Sequence, residues 1–166
     1  MSEFVLIHTA PALERLVADW SGVPWLGMDT EFVRERTYHA QLCLIQLASP
    51  RGLALLDPLA LPDWTALFAL LDAPETVKIL HAGGQDLELF HRARPARLPA
   101  PLFDTQIAAS LLGHGQQIGY AALVQHLLDI ALPKLHTRSD WSRRPLSASE
   151  LDYAVDDVRH LAALYD

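Results

Sequence analysis

The spacing of apolar residues in the first half of the chain predicts one helix among several strands. A short β-prone run covers Phe4 to His8, and helical spacing follows from Pro11 to Trp20. Thr9 suits the N-cap of that helix, and a proline in its first turn costs no hydrogen bond. Three further segments have strand character, and a turn signal at Pro50 to Gly52 joins the last two as a meander. They are Trp25 to Phe32, Leu42 to Ala48 and Leu53 to Leu56.

The second of these segments is apolar on both sides. Strand alternation places one set of residues on one face and a second set on the other. The sets are Leu42, Leu44, Gln46 and Ala48, and Cys43, Ile45 and Leu47. Because both sets are largely apolar, the pattern predicts a strand that is covered on both faces rather than half exposed.

The second half of the chain changes to alternating strands and helices. Val77 to Leu80 is a short apolar strand, and Gly83 and Gly84 turn the chain into a helix that begins at Gln85 or Asp86. Before this strand, a helix capped by Asp63 is predicted to run through Leu71. After it come a strand over Pro101 to Phe103, a helix from Asp104 through Leu111, a helix over Tyr120 to Leu128 and a loop over Pro133 to Pro145. The last predicted helix runs from Ser147 through Leu164, and Glu150 completes a capping box at its start. A meander followed by strand–helix crossovers predicts an α/β domain whose mixed sheet is flanked by helices.

The composition is that of one globular domain. The 166 residues are 51% apolar and 20% charged, and no apolar run approaches the ~20 residues of a membrane span. The first residues lack the basic and apolar regions of a secretory signal. The single cysteine, Cys43, excludes an internal disulfide and a multi-cysteine metal cage, which favours a reducing cytoplasm.

The net charge of −7 argues against a protein that coats nucleic acid non-specifically. Four carboxylates that bind two divalent cations would bring this net charge to about −3. The acidity therefore still allows an enzyme that handles a phosphodiester at one metal-lined site.

Two acids share one face of the first central strand. Side chains alternate along a strand, so Asp29 and Glu31 project together, after the apolar Leu26 and Met28. Two carboxylates at the end of a buried strand repel each other and lose hydration, and a bound cation compensates for both effects. The alternative is that the pair lies past the strand end, in water.

A third acid follows the strand and the double glycine. Asp86 is predicted at the carboxyl end of a strand and in the first turn of a helix, where ligands gather in open α/β sheets. The alternative is that the helix dipole alone favours an aspartate there. A dinucleotide fingerprint is excluded because Gly-x-Gly-x-x-Gly is absent.

The last predicted helix has a tyrosine and two acids at related positions. Tyr153 and Asp157 are four residues apart and therefore share a helix face. Asp156, three residues from Tyr153, is the alternative, and the spacing alone leaves both acids open.

Together, these segments resemble the ribonuclease D group of DEDD-type 3′-5′ exonucleases, in the branch that uses tyrosine rather than histidine. The resemblance covers nearly the whole chain. The matching segments are Asp29 to Arg34, Tyr38 to Leu47, His81 to Glu88, Phe103 to Gln106, Arg138 to Leu146 and Tyr153 to Asp157. The Tyr-x-x-x-Asp spacing of the family's third motif selects Asp157 over Asp156. The histidine branch would place a histidine at the position of Asp152, so Tyr153 indicates the tyrosine branch.

The resemblance implies a ribonuclease-H-like fold in one exonuclease domain over residues 1–166, without the C-terminal HRDC module common in the family. It implies two divalent cations, Mg²⁺ or Mn²⁺, one activating water and one stabilising the leaving 3′-oxygen. The implied ligands are Asp29, Glu31, Asp86 and Asp157. Tyr153 would orient or help to deprotonate the water, and the metal would do most of the activation, because an ordinary tyrosine with a pKa of about 10 is a poor base.

The implied substrate is the single-stranded 3′ end of RNA, such as a tRNA precursor, degraded to 5′-mononucleotides by a monomeric cytoplasmic enzyme. The candidate substrate contacts are Thr30, Phe32, His81, Lys134 and Arg138, and Arg143 and Arg144 could also meet phosphates. Phe32 is equally well interpreted as a core residue. His81 is expected to hydrogen-bond a neighbouring group rather than a cation, because Mg²⁺ disfavours nitrogen ligands.

Two other functions stay open. One is a 3′-to-5′ DNA exonuclease of proofreading or repair type, which would use the same catalytic residues. The other is a non-catalytic RNA-binding domain, against which the complete set of four acids and one tyrosine argues.

Overall fold

A six-stranded mixed sheet forms the centre of the part of the chain that the structure describes. The computed structural model describes residues 4–34, 39–61, 63–95, 97–133 and 139–166. The strands are β1 (Val5–Ile7), β2 (Trp25–Val33), β3 (Gln41–Ser49), β4 (Gly52–Leu56), β5 (Val77–Leu80) and β6 (Leu102–Asp104), in the sheet order β1-β4-β3-β2-β5-β6. β2, β3 and β4 are antiparallel neighbours, whereas β1 on β4, β5 on β2 and β6 on β5 pair in parallel. The predicted α/β class, with a meander plus parallel strands, is confirmed.

Helices cover both faces of this sheet. They are α1 (Ala10–Trp20), α2 (Phe68–Leu71), α3 (Gly84–Ala93), α4 (Thr105–Leu111), α5 (Tyr120–Leu128), α6 (Ala148–Arg159) and α7 (Leu161–Tyr165). On one face α1 and α2 pack with Met28 of β2 and Ile45 of β3. On the other face Ala154, Val158 and Leu161 of α6 and α7 pack on β3, β4 and β5. Within the described residues, no helix has the length and apolar character needed to cross a membrane.

A β-bulge in β3 changes which side chains face α6. Glu31 pairs with Leu44 but Phe32 pairs with Leu42, so Cys43 is an extra residue opposite β2. Cys43 and Leu44 both pack in the layer beneath α6, while Leu42 packs on the opposite face. The predicted strict alternation is therefore wrong for Leu42 and Cys43, because an inserted residue reverses the faces of the residues before it.

Three predicted helix boundaries also differ from the structure. α3 begins at Gly84, one residue before the predicted Gln85. The helix predicted from Asp63 is a 3₁₀ turn (Thr65–Leu67) followed by the short α2. Asp63 still accepts a hydrogen bond from the backbone N–H of Thr65 at 2.8 Å, as a cap would. The last predicted helix breaks at His160 into α6 and α7.

The break at His160 contains an inserted side chain. The hydroxyl of Tyr120 donates to the carbonyl oxygen of Asp156 at 3.0 Å and accepts from the backbone N–H of His160 at 3.1 Å. These two backbone groups are four residues apart and would bond each other in a continuous helix. A side chain inserted into the hydrogen-bond ladder is a known cause of a helix kink, so Tyr120 fixes where α6 ends.

The start of α6 is the predicted capping box. Ser147 Oγ accepts from the N–H of Glu150 at 3.3 Å, and Glu150 Oε2 accepts from the N–H of Ser147 at 2.8 Å. The buried Glu150 carboxylate also pairs with Arg143 at 3.3 Å. The hydrogen bonds from Ser147, more than the charge of Arg143, lower the pKa of Glu150 from 4.5 to about 2.

Replacing Glu150 with glutamine should lower the free energy of unfolding at pH 7 by about 1 kcal/mol, the usual contribution of a helix cap. Folding lowers the pKa of this carboxyl, so its stabilisation is complete above its ordinary pKa of 4.5 and is lost as the pH falls towards 2. Urea unfolding of both proteins between pH 7 and pH 2 measures the difference. Glu14→Gln, on the exposed side of α1, is the control. A stability difference for Glu150→Gln that is unchanged at pH 2 would contradict this account.

Candidate active site

Three separate segments bring four acids and one tyrosine to the same part of the sheet. Asp29 and Glu31 lie on β2, between β3 and β5. Asp86 lies in the first turn of α3, which follows β5. Tyr153 and Asp157 lie on α6, which packs across β2 and β3. The charges of the other three acids all raise the pKa of Asp29, which shows that the four carboxylates are within electrostatic range.

Burial and nearby like charges make these carboxylates difficult to ionise. Loss of hydration is the largest cause for each of them. Burial, followed by the charges of Asp157 and Asp86, raises the pKa of Glu31 to about 8. Burial, followed by the charge of Asp156, raises the pKa of Asp157 to about 7. Divalent cations beside these groups would offset the repulsion and favour the ionised forms.

Two hydroxyl groups hold two of the acids. The buried Thr30 donates its hydroxyl to Oδ1 of Asp86, and Tyr153 donates its hydroxyl to the carboxylate of Asp157.

The donor groups can be compared with the needs of a metal. Across the described ranges, no three histidine, cysteine, aspartate or glutamate side chains are already gathered as a metal cage. The carboxylates fit Mg²⁺ or Mn²⁺ in kind, because hard cations prefer oxygen ligands. They also fit in charge, because four carboxylates balance two divalent ions.

Tyr153 donates a hydrogen bond to Asp157. Burial, followed by the charges of Asp157 and Glu31, raises the pKa of its hydroxyl above the ordinary value of 10. The hydroxyl therefore keeps its proton at neutral pH. Its ring centroid lies 6.2 Å from that of the buried Trp141, so the segment before α6 helps to fix the ring.

His81 is held by protein groups at both ring nitrogens. Nδ1 lies 2.9 Å from Oγ1 of Thr105, and Nε2 lies 3.0 Å from the carbonyl oxygen of Ile118. A carbonyl only accepts, so Nε2 carries the proton, and burial lowers the pKa of the ring. This agrees with the expectation that His81 bonds neighbouring groups. A cavity of about 40 Å³ beside it is lined by Met28, Asp29, His81, Tyr120, Asp157 and Leu161.

The turn that presents Asp86 depends on Asp104 and Gly83. Asp104 caps α4, as predicted, by accepting from the N–H groups of Gln106 and Ile107. It also accepts from the N–H groups of Ala82 at 3.1 Å and Gly83 at 3.0 Å, which the sequence analysis missed. A Cβ atom at position 83 would lie 2.6 Å from a side-chain carbon of Leu80, so only glycine fits there.

Tyr120 is a further site residue that the sequence analysis missed. Its ring makes a T-shaped contact with His81, with centroids 5.6 Å apart. Its hydroxyl holds the backbone at Asp156, one residue before Asp157. The sequence shows only an aromatic residue at the start of a predicted helix, a pattern that core packing would also give.

The predicted substrate contacts have different surroundings. Thr30 contacts Asp86, as described above, and Phe32 is half-buried near the end of β2. Lys134 and Arg138 lie outside the described residues. Contact of any of these residues with substrate stays a prediction.

Arg144 has a structural role. Its Nε and Nη2 atoms donate to both carboxylate oxygens of Asp57 at 2.6 and 2.7 Å, and Nη2 also donates to the carbonyl of Cys43. Nη1 donates to the carbonyl of Trp141 at 2.8 Å. Since every guanidinium nitrogen has a protein acceptor, these contacts contradict a phosphate role for Arg144. Arg143 pairs with Glu150 at 3.3 Å, and its contact with phosphate stays a prediction.

Comparison with known proteins gives concordant matches. A family model described as 3′-5′ exonuclease matches residues 4–166. Ribonuclease D of Shewanella sp. (strain ANA-3) is 48% identical over 166 residues, covering 99% of this chain and 42% of that protein. The crystal structure of Escherichia coli RNase D, described as an exoribonuclease involved in structured RNA processing, matches with a TM-score of 0.94 and 42% identity, covering 98% of this chain and 43% of that one. Brucella melitensis NrnC with bound Mg²⁺ matches with a TM-score of 0.80 and 27% identity, covering 99% and 79%.

These matches define what the chain is related to. The chain spans about two fifths of the length of the curated relatives it matches, so the similarity concerns only that part of them. The predicted resemblance to ribonuclease D and the ribonuclease-H-like fold are confirmed. Because the family model extends over residues 4–166, the chain belongs to the 3′-5′ exonuclease family.

Proposed function

We propose that this chain is a metal-dependent 3′-to-5′ exoribonuclease domain that hydrolyses RNA to 5′-mononucleotides with two divalent cations. The observation that carries the proposal is the cluster of four carboxylates, one buried (Asp86) and three half-buried, in which Tyr153 is hydrogen-bonded to Asp157. Membership of the 3′-5′ exonuclease family supports the reaction class. Similarity to E. coli RNase D, described as an exoribonuclease, favours RNA over DNA.

The four acids would hold the cations. The Mg²⁺ ion in the related B. melitensis NrnC structure supports a divalent metal. Bound cations would supply Lewis acidity at the scissile phosphate and lower the pKa of the attacking water. The ligands would be Asp29, Glu31, Asp86 and Asp157.

Tyr153 would orient the attacking water. Its hydroxyl donates to Asp157, and its oxygen would accept a hydrogen bond from a water molecule. A water held in this way is positioned for attack on the phosphorus, and positioning of this kind contributes much of the acceleration in phosphodiester hydrolysis.

The 3′ end of a single-stranded RNA, such as a tRNA precursor, would enter beside β2. Phe32, next to Glu31, would stack on the terminal base, as aromatic residues do with single strands. Lys134 and Arg138 would contact phosphates, which position a strand without reading its sequence. Thr30 and His81 would lie beneath the bound RNA and stabilise these contacts. The domain would act as a monomer.

Asp29→Asn and Asp157→Asn should each reduce RNA degradation by roughly 100-fold or more, because each removes a carboxylate from the cation site. The measurement is the stepwise shortening of a 5′-labelled single-stranded RNA from its 3′ end in Mg²⁺ or Mn²⁺, and EDTA should abolish it. Asp156→Asn is the matched control, since Asp156 is adjacent to Asp157 but pairs with Arg159 at 2.9 Å. Undiminished degradation by both site variants would contradict the assignment of the metal ligands.

Tyr153→Phe should lower kcat roughly 100-fold, because it removes the group that orients the water while all four carboxylates remain. Mn²⁺ binding, followed by electron paramagnetic resonance, should stay close to that of the wild type. Tyr165→Phe, in α7, controls for loss of a tyrosine hydroxyl elsewhere. Wild-type turnover by Tyr153→Phe would remove this residue from the mechanism.

RNA and DNA strands of the same sequence, assayed side by side, should show faster shortening of the RNA from its 3′ end. The assay separates the proposed function from the two other functions considered. Faster shortening of the DNA would favour a proofreading or repair exonuclease. Binding of RNA without any metal-dependent shortening of either strand would favour a non-catalytic domain.

A further inference from the structure

The centre of β3 contains a buried amide group without a partner. The side chain of Gln46 is fully buried, and neither its Oε1 nor its Nε2 atom has a hydrogen-bond partner. Among the residues that the structure describes, no other side chain leaves both a donor and an acceptor buried and unpaired. Buried polar groups are paired in the great majority of cases, so this exception calls for a physical explanation.

Gln46 lies beside Asp29 on the same face of the sheet. The two residues are direct partners in the antiparallel pairing of β2 with β3, so their side chains project to the same side. Apolar residues of α6 cover this side and pack there on Leu44 and Leu55. The partner of Gln46 on its other neighbour, β4, is Leu55. Of the two cross-strand partners of Gln46, only Asp29 can accept a hydrogen bond through its side chain.

The amide of Gln46 is unfavourable for folding as it stands. A methionine of the same length would fill the space without giving up hydrogen bonds to water. A partner that the amide gains when the site is in use would explain a buried glutamine at this position. Carboxylates that bind metals are themselves held by hydrogen-bond donors, which fix their orientation.

We propose that Gln46 is a positioning residue of this site: its Nε2–H group donates to the Asp29 carboxylate when cations are bound and fixes the direction in which that carboxylate faces them. This inference rests on the proposed function of the four acids as cation ligands. An ionised carboxylate only accepts and the amide nitrogen only donates, so the two groups are complementary in the loaded site.

The matched substitution is Gln46→Met, which keeps the length of the side chain and removes the amide. Leu55→Met, on the next strand and the same face, is the control. We expect Gln46→Met to weaken Mn²⁺ binding and to lower kcat by about tenfold or more, with little change in KM for RNA. Urea unfolding should show a folded state no less stable than the wild type. Leu55→Met should keep wild-type Mn²⁺ binding and kcat.

A second measurement uses the wild-type protein and does not depend on how the variant folds. The side-chain NH₂ resonances of Gln46 are followed by nuclear magnetic resonance while Mg²⁺ is added. A new hydrogen bond to Asp29 should shift one of the two protons downfield and slow its exchange with water. Resonances that do not move at saturating Mg²⁺ would overturn the proposal.

Two outcomes distinguish this inference from the proposed function. If the wild type binds Mn²⁺ and degrades RNA, and Gln46→Met does both equally well, only the role of Gln46 is wrong. If the wild type does neither, the proposed function fails and the role of Gln46 fails with it.

Discussion

The placement of four partly or fully buried carboxylates on one part of the sheet is the constraint on which the rest of the structure depends. Loss of hydration and like charges both oppose ionisation, and they raise the pKa of Glu31 to about 8 and that of Asp157 to about 7. Hydroxyl donors, from Thr30 and Tyr153, hold two of the acids. Within the described residues, none of the ion pairs formed by arginine involves these acids. Neutral donors fix the carboxylates without cancelling the charge that attracts divalent cations.

Such a cluster can persist only if its residues sit on elements that cannot move apart. The bulge at Cys43 lies opposite Glu31, where extra twist re-aims side chains. The turn before Asp86 is held by Asp104. α6, which carries Asp157, is fixed at its start by the capping box and at its end by the hydroxyl of Tyr120. Apart from the capping box, each anchor is distant in sequence from the acid that it positions, so the site is a property of the tertiary structure.

This dependence explains what could be predicted from the sequence. Strand alternation placed Asp29 and Glu31 together, and local capping chemistry located the start of α6, because both rules act over a few neighbouring residues. The bulge at Cys43 and the break at His160 follow from pairing with β2 and from insertion of Tyr120, which local pattern does not encode. Helix spacing could not separate Asp156 from Asp157, and the family motif was needed for that choice.

Hydrogen bonding of buried polar side chains differs between the rest of the fold and the candidate site. The fully buried Lys78 donates to three backbone carbonyls at 2.5 to 2.8 Å. Arg94 and Arg159 each have one buried nitrogen without a partner, yet both keep ion pairs with aspartates. The positively charged side chains of Lys78, Arg94 and Arg159 thus each have carbonyl or carboxylate partners. Gln46 is different because its whole amide group is unpaired, and it lies in register with Asp29. If loose packing were the cause, amide groups without hydrogen-bond partners would occur at unrelated places in the fold. The Gln46 amide lies beside the acids, as expected for a group that gains its hydrogen-bond partner when the site binds cations.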